Sequence, residues 1–115
     1  MLNEDKRKNR RYPSIARAVL PKFFSGDALL KDLSVTGCCI ECTMQVDVEI
    51  GGCYGLQVIP EEASEIGPFE LAVECRWFRP AGYSCDIGFG VTKSPNGKAF
   101  GRYVDYLAWR SNQNP

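Results

Sequence analysis

The chain has no histidine among its 115 residues. That removes the side chain most used as a general base near neutral pH and the commonest nitrogen ligand of zinc. It has no net charge either, since 14 Lys and Arg balance 14 Asp and Glu, so no whole-molecule field draws it toward a polyanion and any anion binding has to be local. Runs of about eighteen apolar residues, as a membrane-spanning helix needs, are absent because Lys, Glu or Gly interrupts each candidate within a few positions. Residues 1 to 20 begin with charge and hold no stretch of signal-peptide length, so the cytoplasm is the expected compartment. There is no internal repeat and no low-complexity segment.

The parts of an enzyme are missing as well. No activated-nucleophile signature and no phosphate-cradling glycine loop of the Walker or dinucleotide type occurs, and the acidic stretch Glu61-Glu62-Ala63-Ser64-Glu65 reads as a loop without a partner motif. A binding module is expected rather than a catalyst, with no cofactor.

What the chain does have is alternation. Phe69, Leu71, Val73, Cys75 and Trp77 alternate with Glu70, Glu74 and Arg76, which predicts a strand with one apolar and one largely charged face. After a turn at Pro80-Ala81-Gly82, a second strand places Tyr83, Cys85, Ile87, Phe89 and Val91 on one side. Ser84, Asp86, Gly88, Gly90 and Thr92 fall on the other, with small residues where a neighbour can come close. Shorter strands are predicted at about Ile15 to Leu20, Ala28 to Leu33, Gly37 to Cys42 and Tyr54 to Ile59, separated by Pro21, Gly26 and Gly51-Gly52. Around six strands at this spacing predict a small barrel.

Beyond Ser94-Pro95-Asn96-Gly97 the period changes, and Phe100, Val104, Leu107 and Ala108 recur at helical spacing with Ser94 or Asn96 able to cap the first turn. The fold class is therefore all-β with one C-terminal helix. The expected organisation is a flexible basic arm over residues 1–14, a barrel with its helix over 15–110, and a frayed tail over 111–115.

Six cysteines raise metal and redox questions, and Cys39-Ile40-Glu41-Cys42 is formally a CxxC. Positions i and i+3 on a strand point to opposite faces, and no second CxxC completes a zinc site, so no metal is expected. Cys75 and Cys85 fall on apolar faces as small hydrophobes. Cys38, Cys42 and Cys53 remain open to oxidation, although nothing nearby in sequence lowers a thiol pKa.

Two short motifs carry the functional signal. Lys6-Arg7-Lys8-Asn9-Arg10-Arg11 holds five cations in six positions and contains Arg7 and Arg11 in RxxxR spacing. Guanidinium forks can hold phosphate oxygens bidentately and can stack on or bond a guanine edge. The same run can equally be a solvated basic terminus. Asp32-Leu33-Ser34-Val35-Thr36-Gly37, in DxSxxG spacing, lies between two predicted strands and suits a tight turn: Asp and Ser accept from backbone amides, and Gly37 can let a ligand approach the backbone. A plain Asx-type turn in a barrel would look similar.

The two motifs in this order and separation are followed by Ala72-Val73-Glu74-Cys75-Arg76-Trp77 and Cys85-Asp86-Ile87-Gly88-Phe89-Gly90-Val91. Together they resemble the PilZ domain, a bacterial module, over nearly the whole chain. The resemblance implies a six-stranded antiparallel β-barrel that binds cyclic di-GMP between an N-terminal arginine arm and the barrel surface, as one molecule or a stacked pair. It implies contacts from Arg7, Arg10 and Arg11, with Asp32 accepting from a guanine edge, Ser34 bonding a base or phosphate and Gly37 keeping the floor open. The output would be a protein effector reached in trans, in motility, secretion or exopolysaccharide synthesis. In one departure from the family, Ser14 precedes Ile15 where many members place the second arginine. Either Arg7 and Arg11 are the motif pair, or Arg10 is the first and the second has become Ser14. The rival expectation is a PilZ-like interaction module in motility or pilus assembly that needs no nucleotide. Nucleic acid is not an expected partner, because the chain is neutral and its aromatics are not interleaved with the cations.

Overall fold

The computed structural model describes residues 10–20, 28–43 and 46–113. Its elements are β1 (Tyr12–Pro13), β2 (Arg17–Val19), β3 (Ala28–Leu33), β4 (Gly37–Cys42), β5 (Cys53–Ile59), β6 (Phe69–Ala81), β7 (Ser84–Lys93) and α1 (Gly97–Gln113), with a 3-10 turn at Glu62–Ser64 before β6.

β1 and β2 share β3 as a partner, Tyr12 facing Leu33 and Arg17 facing Leu29. Between them the ladder continues through Ser14 N to Lys31 O and Leu30 N to Ala16 O, each 2.9 Å, so the two pieces act as one interrupted strand. From it the antiparallel pairings run through β3, β4, β7, β6 and β5 and return to β2. The result is a closed six-stranded antiparallel barrel with one C-terminal helix. It matches the PilZ-like fold that the motifs led us to expect.

The alternation read from the sequence fills the barrel. Leu30, Ile40, Leu56, Leu71, Val73, Ile87 and Phe89 are among the inward side chains with almost no exposure. Phe100, Tyr103, Val104 and Leu107 form the apolar stripe of α1 at i, i+3, i+4 and i+7. They seat the helix against β1 and the start of β6, with the Phe69 ring 5.9 Å from Phe100 and 6.0 Å from Tyr103. No helix among the described residues is long and apolar enough to cross a membrane.

Several boundaries and faces differ from the sequence reading. Pairing begins at Tyr12 rather than Ile15, and α1 continues through Ser111 to Gln113 where a frayed tail was expected. Tyr83, placed by alternation on the apolar face, instead sits at the hairpin tip beside Gly82 (φ 64°) and is 92% exposed. Asn96 accepts the first helical hydrogen bond with its backbone oxygen, but its side chain accepts from Glu70 N at 3.0 Å and so fastens the helix start to β6 rather than capping α1.

The largest difference concerns Trp77. Cys75 faces Phe89 while Trp77 faces Gly88, so Arg76 is an extra residue in β6 and the register shifts there. Such a bulge turns two consecutive side chains to one face. Arg76 and Trp77 both lie outside, and the inward alternation resumes at Phe78, opposite buried Ile87. A second bulge falls at Lys31, since Leu30 faces Ile40 and Asp32 faces Cys39.

The thiols follow the barrel geometry. Cys38, Cys42, Cys75 and Cys85 are fully buried, while Cys39 and Cys42 face opposite sides of β4. Burial pushes the Cys38 and Cys42 thiols up to about 12 and Cys39 up to about 11. Cys53 is exposed. An aromatic disulfide reagent at pH 8 is therefore expected to modify Cys53 fast in the native protein and the five other cysteines only at the rate of unfolding. Rapid reaction of a second thiol would contradict this arrangement of the core.

Candidate functional site

These two bulges fall in one cross-strand row, while a third register shift, at Thr92 between the Ala72–Lys93 and Val73–Val91 pairs, lies outside it. Trp77 faces Gly88, Gly88 faces Cys39, and Cys39 faces Asp32, with Arg76 and Lys31 as the extra residues at either end. The neighbouring row pairs Gly37 with Gly90. On the outside of β4 and β7 the floor is therefore Gly37, Cys39, Gly88 and Gly90, and every side chain of any length stands at its border.

Three flat groups rest on that floor. The Arg11 guanidinium lies over Gly37, where a Cβ would come within 2.9 Å of its Nη2 and 2.8 Å of the Phe89 carbonyl oxygen. Arg76 lies over Gly90 in the same way, its Nε and Nη2 each 2.6 Å from where a Cβ would stand. The Trp77 ring covers Gly88 so closely that no side chain fits there, and Arg79 Cζ stands 4.9 Å from the centre of that ring. Any larger residue at Gly37 or Gly90 would displace the arginine above it.

Asp32 stands beside Arg11, with Oδ1 3.6 Å from Nη1, an ion pair rather than a hydrogen bond. Arg11 Nε is shielded from solvent and has no hydrogen-bond partner among the described residues. Across the row, Lys31 Nζ donates to Asp86 Oδ2 at 3.3 Å, and that bond holds the lysine pKa above its usual value.

Ser34 is placed differently from the role the resemblance gives it. Its side chain is 1% exposed, and its hydroxyl oxygen accepts from Thr36 N at 3.1 Å and Gly37 N at 3.2 Å. Ser34 N in turn donates to Gly37 O at 2.9 Å. The serine is thus spent on the turn that fixes Asp32 and Gly37 on adjacent strand ends.

Ser14 is also buried, and among the described residues these two serines are the buried polar side chains. Its hydroxyl accepts from Ala16 N at 2.9 Å and shares a hydrogen with the Tyr103 hydroxyl at 3.1 Å. Tyr103 donates to Glu61 Oε1 and Arg110 to Glu61 Oε2, both at 2.6 Å. The position that would be the second arginine in the register starting at Arg10 points under the helix, away from Asp32.

Of the residues named from the sequence, Arg11, Asp32 and Gly37 come together on the outer face. Arg10 is exposed and stacks on Tyr12 with its Cζ 5.6 Å from the ring centre. Arg7 lies outside the described residues. Sequence reasoning missed Arg76, Trp77 and Arg79 as neighbours of this site. Two signals pointed to them: the consecutive Trp77-Phe78 breaks the period of two, and the small Gly88 and Gly90 leave room for large side chains from a neighbouring strand.

Fold and surface together define a PilZ-like barrel with a glycine-floored outer trough bordered by planar cations, an indole and carboxylates. No family model matches the sequence, and no curated protein matches it. Among solved structures, the Bacillus subtilis inhibitor of motility (MotI/DgrA) is similar, with a TM-score of 0.76 at 14% identity over 97% of this chain and 54% of that one. The chain thus spans about half the length of that protein, and at this identity the likeness bears on the fold alone.

Proposed function

We propose that this chain is a receptor module for cyclic di-GMP that acts on a protein partner. The observation that carries this reading is the placement of the Arg11 guanidinium close above Gly37 and 3.6 Å from Asp32, with its Nε lacking an acceptor among the described residues. A phosphodiester oxygen supplies acceptors to Arg11 in charge-assisted bonds, and Asp32 accepts from the N–H edge of guanine. Arg10, exposed on Tyr12, supplies a further cation from the solvent side, and Arg7, the other arginine of the RxxxR spacing, lies outside the described residues.

The same geometry suggests how the ligand alters the surface. Ser14 follows Arg11 by three residues and is bonded to Tyr103 of α1. A ligand held by Arg11 therefore bears on the N-terminal side of the helix seat through Ser14, and differential contact in the two states is what lets a ligand shift the exposed surface.

Isothermal titration at physiological salt tests this reading, with GTP and cyclic di-AMP as controls. Saturable heat specific to cyclic di-GMP is expected. Arg11→Ala is expected to weaken it about 10- to 100-fold, the equivalent of losing hydrogen bonds to a charged group, with the thermal unfolding midpoint unchanged. Retained affinity in that variant would overturn the assignment of Arg11. A second reading is favoured by buried Ser14, which stands where many family members carry an arginine. In it the barrel is an interaction module in motility or pilus assembly that needs no nucleotide, and absence of heat at high ligand concentration would select it.

A further inference from the structure

Arg76 belongs to neither of the two short motifs that carry the expected ligand contacts, yet its position repeats that of Arg11. Gly37 and Gly90 are direct partners across β4 and β7. Arg11 covers the first and Arg76 covers the second, so two guanidinium groups share one glycine pair. Arg76 reaches this place only because the β6 bulge inserts it opposite Gly88 beside Trp77; in regular register one of the two would turn inward.

Two cations on adjacent floor positions repel each other unless an anion lies between them or carboxylates offset them. Asp32 partners Arg11, and Glu74 Oε1 stands 3.8 Å from Arg76 Nη2. The Glu74 contact is long and open to water, with the Arg76 side chain 60% and the Glu74 side chain 36% exposed, and such pairs contribute little. The guanidinium is held by its stem and by the glycine beneath it, and its outer donors remain available to an incoming anion.

We infer that Arg76 is a further anion-binding residue of the trough, and that Arg76 and Arg11 bracket one phosphodiester of a cyclic dinucleotide across the Gly37/Gly90 pair. This rests on the cyclic di-GMP reading above. It adds a contact from the far wall, supplied by β6, to a site otherwise built from the N-terminal segment and the β3–β4 turn. Glu74 is then a competitor that the phosphate displaces from Arg76.

Titration of the full chain with cyclic di-GMP, alongside thermal unfolding of each variant, separates the possibilities. Arg76→Gln is expected to bind about tenfold more weakly or worse, and Arg76→Lys, which keeps the charge and loses the planar fork, to remain several-fold weaker. Glu74→Gln is expected to bind about two- to fivefold more tightly, because the competing carboxylate is gone. Unchanged unfolding midpoints show that these shifts are not losses of fold. If wild type binds and Arg76→Gln stays within about twofold of it, the Arg76 seat is wrong and the receptor reading survives. If Arg76→Gln is weakened but Glu74→Gln is not tightened, Arg76 serves packing rather than the anion, and the inference also falls. No binding by wild type overturns the receptor reading and this inference with it.

Discussion

Exchanging Tyr103 for alanine is expected to destabilise the protein by about 3–5 kcal/mol, the range for removing a large aromatic from a core. The ring is fully buried, 6.0 Å from Phe69 on β6 and stacked at 6.0 Å on Tyr106. It also carries the hydroxyl that ties two other segments to the helix: Ser14 at the end of the N-terminal segment, and Glu61 in the loop before β6, whose other carboxylate oxygen accepts from Arg110 of the same helix. A domain of this size has about 5–15 kcal/mol in total, so the alanine variant is left near its unfolding threshold.

Tyr103→Phe isolates the polar part. The ring stays, but the Glu61 carboxylate loses a 2.6 Å donor and the Ser14 hydroxyl keeps only Ala16 N, which is expected to cost about 1–3 kcal/mol. Urea unfolding followed by tryptophan fluorescence measures both variants. If the phenylalanine variant matched wild type, the hydroxyl would not be the link between the N-terminal segment and the helix.

Alkaline pH is expected to act nearly as strongly. The Cys38, Cys39 and Cys42 thiols have an ordinary value of 9.0 and are held at about 12, 11 and 12, mainly because burial disfavours the thiolate. A folded-state pKa above the unfolded one means that the unfolded chain loses its protons first. Stability is therefore complete below pH 9 and falls as pH rises toward 11 to 12. Each thiol contributes about 1.4 kcal/mol of that loss by pH 10, or about 4 kcal/mol for the three together. Tyr103, raised by burial and by its bond to Glu61, adds in the same direction at still higher pH. Urea midpoints between pH 8 and 10 under reducing conditions test this, and Cys38→Ala is expected to remove about a third of the slope. Equal stability at the two ends would show that these thiols are not sealed in the barrel.

Most of the fold was legible because a strand with one buried face writes a period of two into its own residues. The limits of β3 and β4 coincide with the predicted Ala28 to Leu33 and Gly37 to Cys42. The stripe Phe100, Val104, Leu107 identified α1 in the same way. Half of the trough was legible as well, since Asp32 and Gly37 flank a turn whose residue types are demanded locally, and Arg11, although far from them in sequence, belongs to the basic run that stands out by composition.

The other half was not. Trp77 was expected inside, and its alternation with Phe69, Leu71, Val73 and Cys75 gave every reason for that. The bulge at Arg76 belongs to the pairing of β6 with β7, not to β6 alone, so no count along one strand can find it. Ser34 is a related case. The turn chemistry that made it a candidate contact consumes its hydroxyl, because the nearest donors are the amides of Thr36 and Gly37. Asn96 likewise could have capped α1, but the amide of Glu70, twenty-six residues away in sequence, claimed its side chain.

The sequence by itself determined a small all-β domain with a terminal helix, a neutral chain with five of its 14 cations clustered near the N-terminus, and the turn that sets Asp32 and Gly37. These are properties of composition and of short-range order, and the chain carries them before it folds. Only the tertiary structure decided that β1 and β2 share one barrel position and that Ser14 is locked beneath the helix by Tyr103. It alone brought Arg11 and Arg76 to rest on paired glycines. The physical reason is register: which residues face each other across a ladder is set by the closure of all six strands at once, and a single inserted residue reverses the face of everything after it.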